Sequence, residues 1–362
     1  MGFLRALLSI AVVIDHSAPI FGWTIIPGNV AVEAFFIISG FYMALILNEK
    51  YTSTDSNFLF FSNRFLRLFP VYWIVLLITI IVSAVSYMLA NNGLFFGAYL
   101  TTPLSWPAYT FFGLINLVML GQDTTVFLEV QKTTGAFLFT NSFREVPLAA
   151  SRFLLVPQAW TLSLELMFYL IAPFLLRRSW KSILVVTIIS LMVRAFILYG
   201  MGWNHDPWNR RFFPSELALF LMGALAYKIY AKVKMNTHFM KYAKPVTVLI
   251  LLLSAFYQWL PNFVAKEYAY YLLLFTCLPF LFDATKKFRL DRMAGEYSYP
   301  IYLVHILIVR LLITFTPIEN FHLGIVAVVL SFVLSFALLK WISEPIERFR
   351  EVRARKAQGI SR

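Results

Sequence analysis

The sequence is short of charge. Asp, Glu, Lys and Arg make up 14% of its 362 residues, while 60% are hydrophobic; an ordinary soluble domain carries about 25% charged residues. Too few polar side chains remain to cover a water-soluble surface, so the chain reads as an integral membrane protein rather than a soluble enzyme with an anchor. Cysteine is nearly absent. Cys277 stands alone in an apolar run, which leaves no disulfide and no thiolate metal site. The five histidines are scattered, without HExxH or paired-ligand spacing, so no metal is expected. No Walker loop, GxGxxG fingerprint or GxSxG elbow occurs. The apolar content and 18% aromatics exclude disorder. The first apolar run begins almost at Met1 and is broken by Arg5, Asp15 and His16, which argues against a cleavable signal peptide. The net charge of +13 is, in so apolar a chain, first a matter of membrane topology. No nucleic-acid partner is expected.

A membrane-spanning helix needs about 20 mostly apolar residues. Such segments lie at roughly 3–22, 28–48, 69–90, 104–121, 160–177, 180–200, 213–231, 245–261, 268–283, 297–316 and 322–343. Lys and Arg collect in cytoplasmic loops, which makes parity a test. With the N-terminus inside and 104–121 not crossing, the inside segments hold 23 of the 31 Lys and Arg. A full crossing there would turn the basic clusters at 228–244 and 284–292 outward. Pro103, Pro107, Gly113 and Asn116 also suit a re-entrant or interfacial segment. The expectation is an all-α integral membrane protein, a ten-transmembrane-helix bundle over 1–350 with both termini cytoplasmic. The aromatic segment 91–159 would be an extracytoplasmic cap, Glu344-Pro345 would end the last span, and 351–362 would be a basic tail meeting anionic lipid. No internal repeat is found.

Ionisable groups at membrane depth are costly and usually face a cavity or a partner. Arg5 and His16 are separated by eleven helical steps, which return to within about 20° of the same face and span roughly 16 Å. A long ligand with an anionic head at Arg5 and a reactive tail near His16 fits that spacing; a snorkelling arginine and a backbone-bonded histidine fit it equally. Glu33 and Glu165 fall at a depth similar to that of His16. A carboxylate beside an imidazole fixes its tautomer and raises its basicity, as a general base requires, although the three groups could also tie helices together. Arg64 and Arg67 are i,i+3 neighbours in RFLRLFPVYW, the loop before the third span, a geometry suited to clamping phosphate and also to positive-inside anchoring. Ser298, Tyr302 and His305 share one helical face and can present hydroxyls and an imidazole to a substrate or to a neighbouring helix. Trp160 reads as a ring at the outer interface, beside the substrate side. Ser39-Gly40 marks close helix packing or a widened cavity.

Taken in order, Arg5-x10-His16, FFIISGF at 35–41, RFLRLFPVYW at 64–73, WTLSLELMFY at 160–169, SYPIYLVH at 298–305 and EPIE at 344–347 resemble the acyltransferase-3 family of membrane acyltransferases over nearly the whole chain. The resemblance implies a ten-span bundle. It also implies transfer of an acyl group, usually acetyl from acetyl-CoA, to a sugar hydroxyl of a bacterial surface or secreted glycan, at the inner membrane. It makes His16 the essential histidine and Arg5 its paired arginine, sets Arg64 and Arg67 on the CoA phosphates, and gives Glu165 the acidic position of the WSLSxE-type motif. Glu33 stands where the family more often has aspartate. No SGNH-type esterase segment follows, so a second transfer step would call on a separate glycan-assembly protein. The expected machinery is therefore His16, Glu165 and Glu33 for catalysis, and Arg5, Arg64 and Arg67 for acetyl-CoA. Ser298, Tyr302, His305 and Trp160 would serve a glycan or lipid-linked saccharide acceptor. The rival readings are a transporter or flippase of glycan intermediates and a non-catalytic membrane scaffold.

Overall fold

The computed structural model describes residues 1–52 and 56–357. It is 76% helical. The helices are α1 (Gly2–His16), α2 (Gly28–Glu49), α3 (Asn57–Ala90), α4 (Gly97–Thr101), α5 (Trp106–Val118), α6 (Trp160–Leu175), α7 (Trp180–Ala195), α8 (Phe213–Val233), α9 (Thr237–Met240), α10 (Ala243–Ala255), α11 (Lys266–Thr285), α12 (Arg289–Phe315), α13 (Asn320–Leu338) and α14 (Glu344–Ala357). A π turn at 196–200 extends α7, and another at 339–343 joins α13 to α14.

Among the described residues seven segments are long and apolar enough to cross a membrane: Gly28–Glu49, Asn57–Ala90, Pro157–Leu175, Trp180–Gly200, Lys266–Thr285, Arg289–Phe315 and His322–Ala354. Their outward faces carry exposed Ile81 and Val85 on α3, Val185 and Ile189 on α7, and Val333 and Phe336 on α13. Bare apolar stripes of this kind are stabilised by lipid, not water. Three expected spans fall short. α1 has 15 residues and α10 has 13, or about 22 and 20 Å of helix against a hydrocarbon core of about 30 Å. α8 is long enough but is diluted by Glu216, Lys228 and Lys232.

Glycine sets the two tightest helix contacts. A Cβ on Gly40 of α2 would lie 1.8 Å from the Phe220 carbonyl oxygen, and one on Gly223 of α8 would lie 1.8 Å from that of Ile37. A Cβ on Gly2 of α1 would lie 1.5 Å from the Asp291 carbonyl oxygen and 2.8 Å from the Gly295 nitrogen of α12. Small residues let backbones approach where side-chain packing supplies the attraction. Both pairs are parallel. Along α2 and α8, Arg194 links Glu33 to Glu216 at one end and Lys234 reaches Glu49 at 3.5 Å at the other. Along α1 and α12, Gly2 meets Gly295 while His16 meets His305. With α3, α6 and α7 as crossings between α2 and α8, a parallel pair leaves no place for a further complete crossing by α5.

Three expected boundaries are corrected. The first helix stops at His16 rather than running to 22, because Ser17 turns back to the Val13 carbonyl at 2.7 Å and Pro19 follows. RFLRLFPVYW is not a loop before a span: α3 starts at Asn57 and carries Pro70 inside it. Glu344-Pro345 does not end the last helix, since the π turn carries it on into α14. Residues 351–357 are therefore helix, and 358–362 lie outside the described residues. The 91–159 segment folds on a small core of its own, Phe112, Val130, Leu148, Ala150 and Phe153. It includes the two-stranded antiparallel ribbon β1 (Leu128–Val130) and β2 (Phe137–Phe139).

Candidate active site

A cavity of about 640 Å³ opens between α1, α2, α3, α6, α12 and α14. Proline makes room for it. Pro70 of α3 and Pro300 of α12 each lack an N–H and free the carbonyl four residues back. Those residues, Leu66 and Glu296, line the cavity, as does Pro300.

Arg5, Arg64 and Arg67 all face this space. Arg5 is held there by the anchoring of α1, whose Gly2 and Phe3 N–H groups donate to the two Asp291 carboxylate oxygens at 2.8 and 2.9 Å. Among the described residues, none of the three arginines has a carboxylate within ion-pair distance. Arg64 is buried, with its Nε unpartnered, between the rings of Phe60 and Tyr169, each about 6 Å away. Burying cations without partners is costly, and an anionic ligand removes that cost.

Glu165 also lines the cavity. Its Oε1 accepts from Ser39 Oγ at 2.6 Å and from the Tyr169 hydroxyl. Sequence reasoning passed over Tyr169 and did not link Ser39 to Glu165; for Tyr169 the signal was there, four residues from Glu165 on the same helical face. Glu33 is elsewhere. It sits 3.5 Å from Arg194, which is also bonded to Glu216 at 3.0 Å, all three side chains being nearly or fully buried. Among the described residues the expected carboxylate–histidine pairing is thus not what the structure brings together: Glu165 is engaged by Ser39 and Tyr169, and Glu33 by Arg194.

His16 pairs with a histidine. Its ring centroid lies 5.0 Å from that of His305, edge to face. Each imidazole is anchored on its own helix, His16 Nδ1 to the Val12 carbonyl at 2.9 Å and His305 Nδ1 to the Tyr302 carbonyl at 2.6 Å. A carbonyl only accepts, so each Nδ1 carries a hydrogen, and in the neutral ring Nε2 then keeps the lone pair. His305 Nε2 is buried with no partner among the described residues, whereas the His16 side is exposed.

Tyr302 stands between the cavity and the histidines. It lines the cavity, its ring is 5.5 Å from His305, and its hydroxyl donates to the Gln158 carbonyl at 3.0 Å and accepts from Thr161 at 2.8 Å. Ser298, also at the cavity wall, donates to the Gly295 carbonyl at 2.7 Å. Trp160 is outside the cavity lining, stacked under the Arg211 guanidinium at 4.1 Å.

The acyltransferase domain of the acyltransferase-3 family matches residues 1–340. The chain belongs to the acyltransferase-3 family. It is a membrane acyltransferase by that membership, and the matched range takes in every site residue named above. No curated protein and no solved structure matches it.

Proposed function

We propose that this chain is an inner-membrane O-acyltransferase that moves an acyl group, acetyl in the simplest case, from acyl-CoA to a hydroxyl of a surface or secreted glycan. The observation that carries the reading is the set of three arginines, with no carboxylate at ion-pair distance among the described residues, around one cavity whose wall includes Tyr302, the ring next to the His16–His305 pair. The length from Arg5 to His16, roughly 16 Å of helix, suits a donor whose phosphates stay at the arginines while its thioester reaches deeper. In this reading α1, α8 and α10 complete a ten-helix bundle. The positive-inside bias then gives the arginine end to the cytoplasm, where acyl-CoA is made, and the 91–159 cap to the acceptor side.

His16 Nε2 takes the proton from the acceptor hydroxyl as its oxygen attacks the thioester carbonyl. Collapse of the tetrahedral adduct breaks the C–S bond, and the imidazolium returns the proton to the departing thiolate, giving the ester and free CoA. The Val12 carbonyl, rather than Glu165 or Glu33, fixes the tautomer this needs. Glu165, with Ser39 and Tyr169, shapes the donor cavity. Ser298, Tyr302 and His305 line the route between the two ends, and Trp160 belongs to the acceptor side.

The test is mass spectrometry of surface and secreted glycans from a deletion strain complemented with wild type or with His16→Ala. Acyl groups restored by wild type alone support the reading. Full acylation with His16→Ala, present in the membrane at wild-type amount, overturns it.

A further inference from the structure

The helix α14 lies beyond the matched residues 1–340, and its end, from 351, reads in sequence as part of a basic tail meeting anionic lipid. In the fold it is a wall of the cavity, to which it contributes Ile346, Glu347, Arg348 and Arg350. It is tied to α3 by Arg353, whose Nη2 donates to Ser62 Oγ at 3.0 Å, two residues before Arg64. The Arg350 side chain is only 7% exposed. It lies close enough to Arg64 and Arg67 for the three positive charges to act on one another.

Carboxylates are not absent here, since Glu296 and Glu344 also line the cavity and Glu296 lies close enough to Arg67 for the two charges to act on one another, but direct ion pairs are few. Arg350 Nη1 pairs with Glu347, whose carboxylate is 48% exposed at the lip of the cavity, while Arg350 Nε is buried without a partner. Arg64 Nε is likewise buried and unpartnered, and neither Arg64 nor Arg67 has a carboxylate within ion-pair distance among the described residues. Three guanidiniums held together against their mutual repulsion, with one half-exposed carboxylate in direct ion-pair contact among the described residues, form a site for a multiply charged anion.

The geometry points to α14 as part of the donor site, with Arg350 joining Arg64 and Arg67 on the phosphates of a nucleotide-linked acyl donor. This rests on the reading of the cavity as an acyl-CoA site. Arg350 reaches the phosphates and not the pantetheine arm, because it sits with Arg64 and Arg67 at the end of the cavity remote from His305. Glu347 is its stand-in partner when the site is empty and releases it when phosphate enters.

The experiment measures equilibrium binding of CoA and of pantetheine, which lacks the phosphates, to the full chain in detergent, wild type beside Arg350→Ala. The expected result is CoA binding weakened about 10- to 100-fold by the substitution, with pantetheine binding unchanged. CoA binding equal to wild type, or equal losses for both ligands, overturns the assignment of Arg350 while leaving the donor reading intact. A wild-type protein that does not bind CoA at all overturns the donor reading, and this proposal with it. Should Arg350→Ala fail to accumulate, Glu347→Gln decides. Freeing Arg350 from its internal partner tightens CoA binding several-fold, and unchanged or weaker binding contradicts the proposal.

Discussion

Two arginines of this bundle are almost equally buried, Arg194 at 6% and Arg64 at 7% exposure, yet their surroundings are opposite. Arg194 lies between two carboxylates, Glu216 at 3.0 Å and Glu33 at 3.5 Å, and donates as well to the Asn209 carbonyl at 3.0 Å. Arg64 has two aromatic rings and an open cavity. A cation whose two counter-charges come from two other helices ties those helices to its own. A cation left without them is supplied from outside. The first is a structural joint between α2, α7 and α8, and the second is, in the proposed reading, a binding group.

That contrast breaks most visibly at Arg194. Arg194→Ala leaves Glu33 and Glu216 buried together without their cation, at a cost of about 3–5 kcal/mol. The measurement is thermal unfolding in detergent, with a large drop or loss of folded protein expected. Wild-type stability in that variant would mean the joint is not structural. A milder change sharpens the same point. Glu33→Gln removes the longer of the two ion contacts and leaves the Arg194–Glu216 pair neutral overall, so the expected loss is about 1 kcal/mol or less. A larger loss than from Glu216→Gln would reverse the ranking that the distances imply.

The smallest effect is expected outside the spans, where a buried carboxyl has a hydroxyl instead of a cation. Asp123 accepts from Ser163 Oγ at 2.5 Å, and Ser163 in turn accepts from the Gly121 N–H at 2.7 Å. Burial pushes the Asp123 carboxyl above its ordinary value, and the Ser163 hydroxyl draws it only part of the way back. The folded state therefore prefers the protonated acid. Its contribution is fully present below the ordinary aspartate range and fades as pH rises through the raised value. Ser163→Ala removes the bond that holds the value down, so the fade shifts to higher pH. Amide-exchange protection of residues 121–127, corrected for intrinsic rates, reports it; superimposable profiles for variant and wild type would contradict the assignment.

Much of the site was legible because helical periodicity places side chains on faces. Arg5, Arg64 and Arg67 were expected together and do line one cavity, and Ser298 and Tyr302 join them there. The parity of basic loops predicted that 104–121 does not cross, and the parallel course of α2 beside α8 agrees. What periodicity does not carry is which face meets which. Glu33 has the depth of His16, but the helix it meets is α7, through Arg194, more than 160 residues away in the chain. His305 came from the right motif with its partner unforeseen, since a pairing between α1 and α12 depends on glycines at their starts rather than on any pattern near the histidines. RFLRLFPVYW was read as a loop because proline usually ends a helix, whereas a wide bundle accommodates Pro70 by opening a cavity. The basic composition of 344–357 concealed a helix that turns Arg350 inward.

The central claim is that the arginines lacking counter-ions hold the acyl donor. Its most direct test is equilibrium binding of acetyl-CoA to purified wild type and Arg64→Ala, with the melting temperature of each recorded beside it. The account predicts a loss of affinity of about tenfold or more, together with a melting temperature equal to or above that of wild type, because removing an unpaired buried cation relieves repulsion. Undiminished binding, or a collapse of stability like that expected for Arg194→Ala, would contradict it.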